Sequence, residues 1–177
     1  ALDGCLQEAG SSCWRDASCF GYGRGEADQL FKFEFERDVD FCSGAFLQTR
    51  LSLWKQLGGF DEIFAPAYYE DADYCLSVNQ AGYKVLYHPE VIIRHYEFGS
   101  SEGSNYAVEL SVRNQSKFLG KHANLLARHF EPDAENIERA RFSPSWKIPR
   151  ILYIDDRVPH CFFGSGFPRY NFILNHL

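Results

Sequence analysis

Three acidic residues follow two tyrosines in the stretch Y-Y-E-D-A-D at residues 68–73. A carboxylate held where a loop enters a helix can accept the proton of an incoming hydroxyl group. Tyrosine rings such as that of Tyr69 can exclude water beside it and stack on a sugar. The same acids would also stabilise the positive end of their own helix without doing any chemistry. The spacing therefore predicts either a general base or a purely structural helix start.

His95 ends the predicted strand V-I-I-R-H at residues 91–95, which is mainly apolar, and precedes a loop of glycine and serine. At such a position an imidazole can ligate a metal ion, or it can be an ordinary structural histidine. The sequence has no H-E-x-x-H, G-x-x-x-x-G-K-[ST] or G-x-S-x-G pattern. These absences argue against a zinc protease, a P-loop nucleotidase and a serine hydrolase.

The cysteines follow no metal-binding spacing. None of them forms a C-x-x-C pair, so we expect no structural zinc. Because the chain is long enough to have a real core, we expect reduced thiols rather than a disulfide framework. The six are Cys5, Cys13, Cys19, Cys42, Cys75 and Cys161.

The composition narrows the class of protein further. Hydrophobic residues make up 45% and charged residues 24% of the 177 residues, which is typical of folded globular domains. A net charge of −6 and a pI near 5.5 disfavour a nucleic acid or an anionic membrane as partner. With no run of ~18 apolar residues and no signal peptide, we expect a cytoplasmic protein without a transmembrane segment. The absence of methionine predicts a chain that is not a complete translation product.

Three segments carry helix signals. Thr49 and the pair Gly58-Gly59 bound a predicted helix over residues 49–57. The acids after Tyr69 begin a second helix over 70–81. Apolar residues at intervals of four and seven predict a third helix over 105–130. Its expected docking face consists of Val108, Val112, Leu119, Leu126 and Phe130.

Strands are predicted between these helices. Phenylalanines alternate with charged residues over 31–35, which is typical of a half-buried strand. The nearly continuous apolar run at 41–47 is typical of a central strand covered on both faces. Two more strands are expected at 83–87 and 91–95, on either side of Pro89. This alternation of strands and helices predicts a layered α/β domain.

Several short motifs occur in a set order along the first part of the chain. They are V-D-F-C-S-G-A-F-L at 39–47, L-G-G-F-D-E at 57–62, Y-E-D-A-D at 69–73, A-G-Y-K-V at 81–85, and finally His95. In this combination the sequence resembles the C-terminal half of a family 2 glycosyltransferase of the GT-A fold, over residues 1–130. The resemblance implies a Rossmann-like α/β fold. It also implies transfer of a sugar from a nucleotide-sugar to a carbohydrate acceptor with inversion, as in polysaccharide biosynthesis.

The resemblance also implies roles for single residues. Asp71 matches the catalytic base that deprotonates the acceptor hydroxyl, and Glu70 matches its partner that contacts the acceptor. His95 matches a ligand of the divalent cation, Mn or Mg, that binds the donor pyrophosphate. The other expected substrate-binding residues, which would line the donor-sugar and acceptor region, are Gly44, Ala45, Gly59, Asp61 and Tyr69. Ser77 stands where the family commonly has arginine, and it receives no role.

Residues beyond 130 predict a different organisation. A proline-containing linker is expected over 131–149. The stretches at 148–159 and 164–169 resemble the first strand, glycine loop and helix of a GT-B type glycosyltransferase domain. They predict a strand at 151–154 and a helix at 167–177 in a second domain over 150–177. The alternative is that this strand and helix belong to the first domain.

Two functional hypotheses follow from the sequence. In the first, the chain is a glycosyltransferase fragment that has little activity on its own. In the second, it is a non-catalytic carbohydrate-binding or assembly module on a degenerate glycosyltransferase scaffold. An exposed sheet edge or an exchange of residues 148–177 would allow copies of the chain to associate.

Overall fold

The computed structural model describes residues 5–95 and 104–140, together with Phe172. The chain divides into two compact units, Ala1–Trp146 and Lys147–Leu177. The predicted linker end at 141–149 lies outside the described residues, as does the GT-B-like segment apart from Phe172. The fold described below is therefore that of the first unit.

Helices in the described part of the chain are short, except for one. Four are α-helical: α1 (Leu51–Leu57), α2 (Glu70–Gln80), α3 (Ser104–Leu126) and α4 (Ile137–Ala140). Single turns of 3-10 helix occur at Phe31–Phe33, Gly44–Phe46, Glu62–Phe64 and Ala134–Asn136.

Local sequence signals set the ends of α1 and α2. Gly58 has a left-handed backbone with φ of 85°, and its N–H bonds the carbonyl of Trp54. This glycine cap at the end of α1 confirms the prediction for 49–57. The helix begins at Leu51, and Thr49 does not cap it. The hydroxyl of Thr49 instead forms a hydrogen bond with the phenol of Tyr74. Helix α2 confirms the prediction for 70–81 to within one residue.

The strands form two antiparallel pairs. Strand β1 (Ser11–Cys13) pairs with β2 (Cys19–Gly21), and β3 (Arg37–Asp38) pairs with β4 (Leu86–Tyr87). The partial GT-A assignment stays a prediction.

Of the four strands predicted within residues 31–95, three are wrong and one is shortened, while the strand predicted at 151–154 lies outside the described residues. Residues 31–35 begin as a 3-10 turn that buries Phe33 and leaves Phe31 exposed. Residues 41–47 make a single bridge at Phe41 before they turn. Residues 91–95 form no strand, and only Leu86–Tyr87 of 83–87 does so.

The core lies between α2, α3 and the small sheets. The buried face of α2 carries Ala72, Tyr74, Cys75, Leu76 and Val78. These side chains belong to one cluster with Val39, Phe64, Phe118 and Leu126. Helix α2 therefore packs in the core from Ala72 to Val78, and this packing holds its acidic first turn in position.

Helix α3 does not pack through the predicted face. Val108 and Val112 are each 60% exposed, and Leu119 is 39% exposed, although Leu126 is buried. The buried residues instead recur every three or four positions and include polar ones: Ala107, Leu110, Asn114, Phe118, His122 and Leu126. An apolar-only pattern misses this face because Asn114 and His122 belong to it. The helix bends at His122, which has non-helical φ and ψ of −112° and 17°.

Residues 131–140, which were expected to be part of a linker, belong to the first unit and pack against its other residues. The hydroxyl of Ser12 donates to the carbonyl of Ala140 at 2.7 Å. The phenol of Tyr22 donates to Glu138, and Arg15 pairs with Glu131 at 2.8 Å. Ten residues of the expected linker thus belong to the fold.

The surface of the described residues carries several large apolar side chains. Phe31 and Phe35 are 71% and 50% exposed and contact each other edge to face, with ring centroids 4.8 Å apart. Association of copies through such surfaces stays a prediction. None of the described helices has the length and apolar character needed to span a membrane.

Candidate active site

Asp71 lies in the first turn of α2, and both of its carboxylate oxygens are held by backbone amides. The N–H of Gly44 donates to Oδ2 at 2.8 Å, and the N–H of Ala72 donates to Oδ1 at 2.8 Å. A carboxylate offers about four acceptor positions, so these two bonds orient it and leave positions free. Asp71 can therefore still accept a hydrogen bond from a hydroxyl group.

Glu8 is bound to the same loop and was missed by the sequence reasoning. Its Oε1 accepts the N–H of Ser43 at 3.0 Å, and its Oε2 accepts the hydroxyl of Ser11. Successive amides, of Ser43 and Gly44, thus bind two different carboxylates. The one signal in the sequence was an isolated acid in the otherwise uncharged stretch at residues 4–14.

The two carboxylates also act on a neighbouring thiol. Burial raises the pKa of the Cys42 thiol to about 12, and the charges of Glu8 and Asp71 add to the effect. A thiol with this pKa stays protonated at neutral pH and is a poor nucleophile. Cys42 is therefore not a candidate for covalent catalysis.

The bond between Gly44 and Asp71 can be tested by removing one N–H. Ser43 has φ of −58° and ψ of 141°, a conformation that suits the residue before proline. We expect Gly44→Pro to lower the free energy of unfolding by at least about 1.5–3 kcal/mol, because the Asp71 carboxylate loses a donor and the proline Cδ takes the place of the hydrogen that points at it. Urea unfolding measures the loss.

Gly44→Ala is the matched control for this substitution. It keeps the N–H, and its Cβ would lie 3.6 Å from Asp71, an ordinary contact. We expect it to unfold near the wild-type midpoint. Equal losses from the proline and alanine variants would contradict the importance of the bond.

Glu70 precedes Asp71 and is partly buried. Burial raises the pKa of its carboxyl, and the charge of Asp71 raises it further. Among the described residues, its buried Oε2 has no hydrogen-bond partner. An unpaired buried acceptor calls for an explanation, and contact with a bound hydroxyl group is one that fits this position.

The raised pKa of Glu70 predicts a pH-dependent stability. Because the folded chain holds this proton more tightly, stability falls as pH rises from the unfolded pKa of about 4.3 through the folded value. We expect Glu70→Gln to unfold at higher urea than the wild type at pH 7 and to differ little from it at pH 4. Urea midpoints at the two pH values measure this.

The control for Glu70→Gln is Glu34→Gln, which removes the same charge from an exposed site. The chain has a net charge of −6, so loss of any acid reduces its overall repulsion. A gain from Glu34→Gln at pH 7 as large as that from Glu70→Gln would assign the effect to net charge instead.

Side chains of α3 hold the loop that leads into α2. The amide of Asn114 is fully buried and donates to the carbonyls of Phe64, Ala67 and Tyr68 at 2.7, 2.9 and 2.9 Å. Tyr68 and the next residue, Tyr69, both have left-handed backbones, with φ of 74° and 75°. Such a conformation is costly for a non-glycine residue, so the loop depends on these contacts to keep its shape.

Two further α3 residues connect this loop to α2. Lys121 donates to Asp61 at 2.7 Å and to Asp73 at 2.9 Å. His122 Nε2 lies 2.8 Å from the other oxygen of Asp73, and both side chains are buried. The Lys121 ammonium lowers the pKa of the Asp61 carboxyl, with help from the N–H of Ile63. Asp61, expected to bind substrate, is thus bound to α3 in this structure.

Two other expected substrate-binding residues also have packing roles. The ring of Tyr69 lies 5.1 Å from that of Phe118, and its phenol donates to the carbonyl of Ala17 at 3.0 Å. A Cβ on Gly59, which has φ of 74°, would lie 2.7 Å from the ring of Trp54. Glycine is required there by both conformation and space. Substrate contacts for these two residues stay predictions.

A cleft of about 1080 Å³ lies on the described part of the first unit. Its lining includes Glu8, Ser43, Ala45 and His95. Asp71 and Gly44 are not part of the lining, although Gly44 lies between two residues that are. The structure thus brings Asp71 and Gly44 into contact and places Ala45 and His95 along the adjoining cleft.

The charge of this cleft differs from that of the whole chain. Although the net charge is −6, the acids of the lining are two, Glu8 and Asp28. The lining also includes four basic residues, Arg24, Arg50, Lys84 and Arg94, of which Lys84 pairs with Asp38 at 2.9 Å. A cationic lining in an acidic protein favours an anionic ligand.

His95, the expected metal ligand, is exposed. Within residues 5–95 and 104–140, no group of three His, Cys, Asp or Glu side chains is placed to hold a metal ion. His95 as a cation ligand therefore stays a prediction.

Comparison with curated proteins gives partial likenesses to two bacterial enzymes. Rhamnosyltransferase WbbL of Escherichia coli (strain K12) is 29% identical over 94 residues, which cover 52% of this chain and 35% of the relative. N-acetylglucosaminyl-diphospho-decaprenol L-rhamnosyltransferase of Mycobacterium tuberculosis (strain CDC 1551 / Oshkosh) is 33% identical over 84 residues, covering 48% and 27%. These likenesses support a relationship to glycosyltransferases.

The extent of these likenesses is limited. The chain spans about a third of the length of the curated relatives that it matches. No family model matches the sequence. No solved structure matches it either.

Proposed function

We propose that this chain is the acceptor-side part of a family 2 glycosyltransferase of the GT-A fold, with Asp71 as the catalytic base. The observation that carries the proposal is the Asp71 carboxylate, which the amides of Gly44 and Ala72 orient and which keeps free positions for a hydrogen bond from a hydroxyl group. The two relatives, both named rhamnosyltransferases, support the reaction class. Because the chain spans about a third of them, the active protein would be a longer polypeptide.

The proposed reaction is a single displacement. Asp71 accepts the proton of the acceptor hydroxyl while that oxygen forms a bond to the anomeric carbon of the donor sugar. The bond from this carbon to the nucleoside diphosphate breaks, and the diphosphate leaves with the electron pair. Attack from the opposite face inverts the configuration at the anomeric carbon.

The remaining site residues would bind and orient the two substrates. Glu70, whose Oε2 has no hydrogen-bond partner among the described residues, would contact an acceptor hydroxyl beside Asp71. The cationic lining of the cleft suits the diphosphate of a nucleotide-sugar donor. Ala45 and Gly44 would lie between the two substrates because one lines the cleft and the other contacts Asp71.

The divalent cation that the family uses is not assigned to the described residues. His95 is a single candidate ligand, and the described ranges hold no cluster that would complete a site around it. Residues 150–177 are likewise proposed to begin a second transferase domain, and all of them except Phe172 lie outside the described residues.

The proposal is tested by sugar transfer in the longer polypeptide. Nucleotide-sugars are incubated with carbohydrate acceptors, a rhamnose nucleotide first because both relatives are named rhamnosyltransferases. We expect a glycoside of inverted configuration, identified by NMR at the anomeric carbon. The 177-residue chain alone is expected to give little or no product.

Other outcomes of this experiment have defined meanings. A product of retained configuration would contradict the single displacement. Acceptor binding by the longer polypeptide without transfer from any nucleotide-sugar would favour the non-catalytic carbohydrate-binding module. Full transfer by the 177-residue chain would contradict the need for a longer polypeptide.

A further inference from the structure

The β1–β2 hairpin places two cysteine thiols in contact. Cys13 and Cys19 are directly opposite each other in the antiparallel register, and their sulfur atoms are 3.5 Å apart. Both are free thiols. Opposed residues in such a pair have Cα atoms about 4.5–5.5 Å apart, within the range of about 4.4–6.8 Å found in disulfides. A bond between them therefore needs only a small movement of the side chains.

The two thiols differ in accessibility. Cys13 is 1% exposed, and burial raises its pKa well above the usual value, with further contributions from Cys19 and Asp40. Cys19 is only partly buried. A reagent from solution would thus reach Cys19 first, and Cys13 would then react from inside the fold.

We propose that Cys13 and Cys19 form an oxidisable dithiol site that reacts with a small disulfide such as oxidised glutathione. The Cys19 thiolate attacks one sulfur of oxidised glutathione, whose S–S bond breaks and releases one glutathione thiol. The Cys13 thiol then attacks the Cys19 sulfur and passes its proton to the departing glutathione sulfur, so the second glutathione leaves as a thiol. Two protein thiols are oxidised to one disulfide, and one glutathione disulfide is reduced to two thiols. This site does not depend on the proposed glycosyltransferase function.

The hairpin also holds the start of α2. Between the two cysteines, Ala17 has a left-handed backbone with φ of 69°. Its carbonyl accepts the phenol of Tyr69, and the thiol of Cys19 lies 3.8 Å from the same oxygen. Because Tyr69 directly precedes Glu70, oxidation would disturb the hydrogen bond that holds Tyr69 next to the acidic first turn of α2. Only this consequence for catalysis rests on the proposed function.

The disulfide can be tested directly in the 177-residue chain. Trypsin cleaves after Arg15, between Cys13 and Cys19, but the first peptide also contains Cys5. The experiment therefore uses a Cys5→Ser background treated with oxidised glutathione. We expect the intact chain to lose the mass of two hydrogen atoms. The peptides on either side of Arg15 should stay joined until a reductant is added.

Single substitutions show which thiols react. Cys13→Ser or Cys19→Ser should abolish the joined peptides, whereas Cys42→Ser and Cys75→Ser should leave them unchanged. A stable glutathione adduct on Cys19, or a disulfide that uses Cys75 or Cys161, would overturn the proposal. So would a chain that keeps all its thiols under conditions that oxidise the unfolded chain.

Discussion

Asp71→Asn is expected to lower kcat for sugar transfer by the longer polypeptide about 10²- to 10⁴-fold, the usual contribution of a positioned general base. The asparagine amide cannot take up the proton of the acceptor hydroxyl. The substitution is nearly isosteric, so the acceptor should still bind and KM should change much less than kcat. Initial rates over a range of acceptor concentrations separate these two constants.

The surroundings of Asp71 add a second effect to this variant. Both carboxylate oxygens accept backbone N–H groups, from Gly44 and Ala72. An amide has one oxygen, so its NH2 group would face one of these donors. The urea midpoint of the variant must therefore be measured together with its rates. This separates the loss of the catalytic base from a displacement of the loop that Asp71 binds.

Glu34→Gln is the matched control because it removes the same charge from an exposed residue outside the cleft lining. We expect it to keep kcat within a few-fold of the wild type. If Asp71→Asn behaved in the same way, Asp71 would not be the base, and its role would be that of a helix-stabilising acid. This is the alternative that the sequence also allowed, in which the acids only stabilise the start of their own helix.

The sequence predicted the elements whose signals are local. Helix α1 ends at Gly58 because a left-handed residue is needed there, and the acids of α2 suit a helix start. The strand predictions failed because an alternation of apolar and charged residues does not show whether a segment has a partner strand to pair with. Phe33 is buried against Tyr22 within a 3-10 turn, so the pattern F-K-F-E-F reflects one inward ring and two outward ones.

The candidate site was predicted only in part, for the same reason. Family motifs gave Gly44 and Asp71 separately, and the structure joins them through one hydrogen bond across 27 positions. Glu8 binds the amide of Ser43 across 35 positions, and no local pattern marks it. Asn114 lies within a helix whose apolar spacing pointed to a different face. Polar contacts between distant segments are what single-sequence periodicity leaves out.

Asn114→Ala is expected to lower the free energy of unfolding by about 2–4 kcal/mol. Asn114 is fully buried, and its NH2 group donates to the carbonyls of Phe64, Ala67 and Tyr68. Alanine would leave these carbonyls without this donor. The loop would also lose the contacts that hold Tyr68 and Tyr69 in left-handed conformations, so kcat of the longer polypeptide should fall as well.

Two companion variants make the role of the Asn114 amide testable. Asn124→Ala changes an exposed asparagine of the same helix and should leave the urea midpoint near that of the wild type. Asn114→Asp keeps the volume but turns an oxygen toward the carbonyls. It should be strongly destabilising at pH 7 and recover partly in acid, where a protonated carboxyl can donate. If Asn114→Ala unfolded like Asn124→Ala, the amide would not hold the loop, and the packing of Phe64 and Tyr69 on Phe118 would have to do so alone.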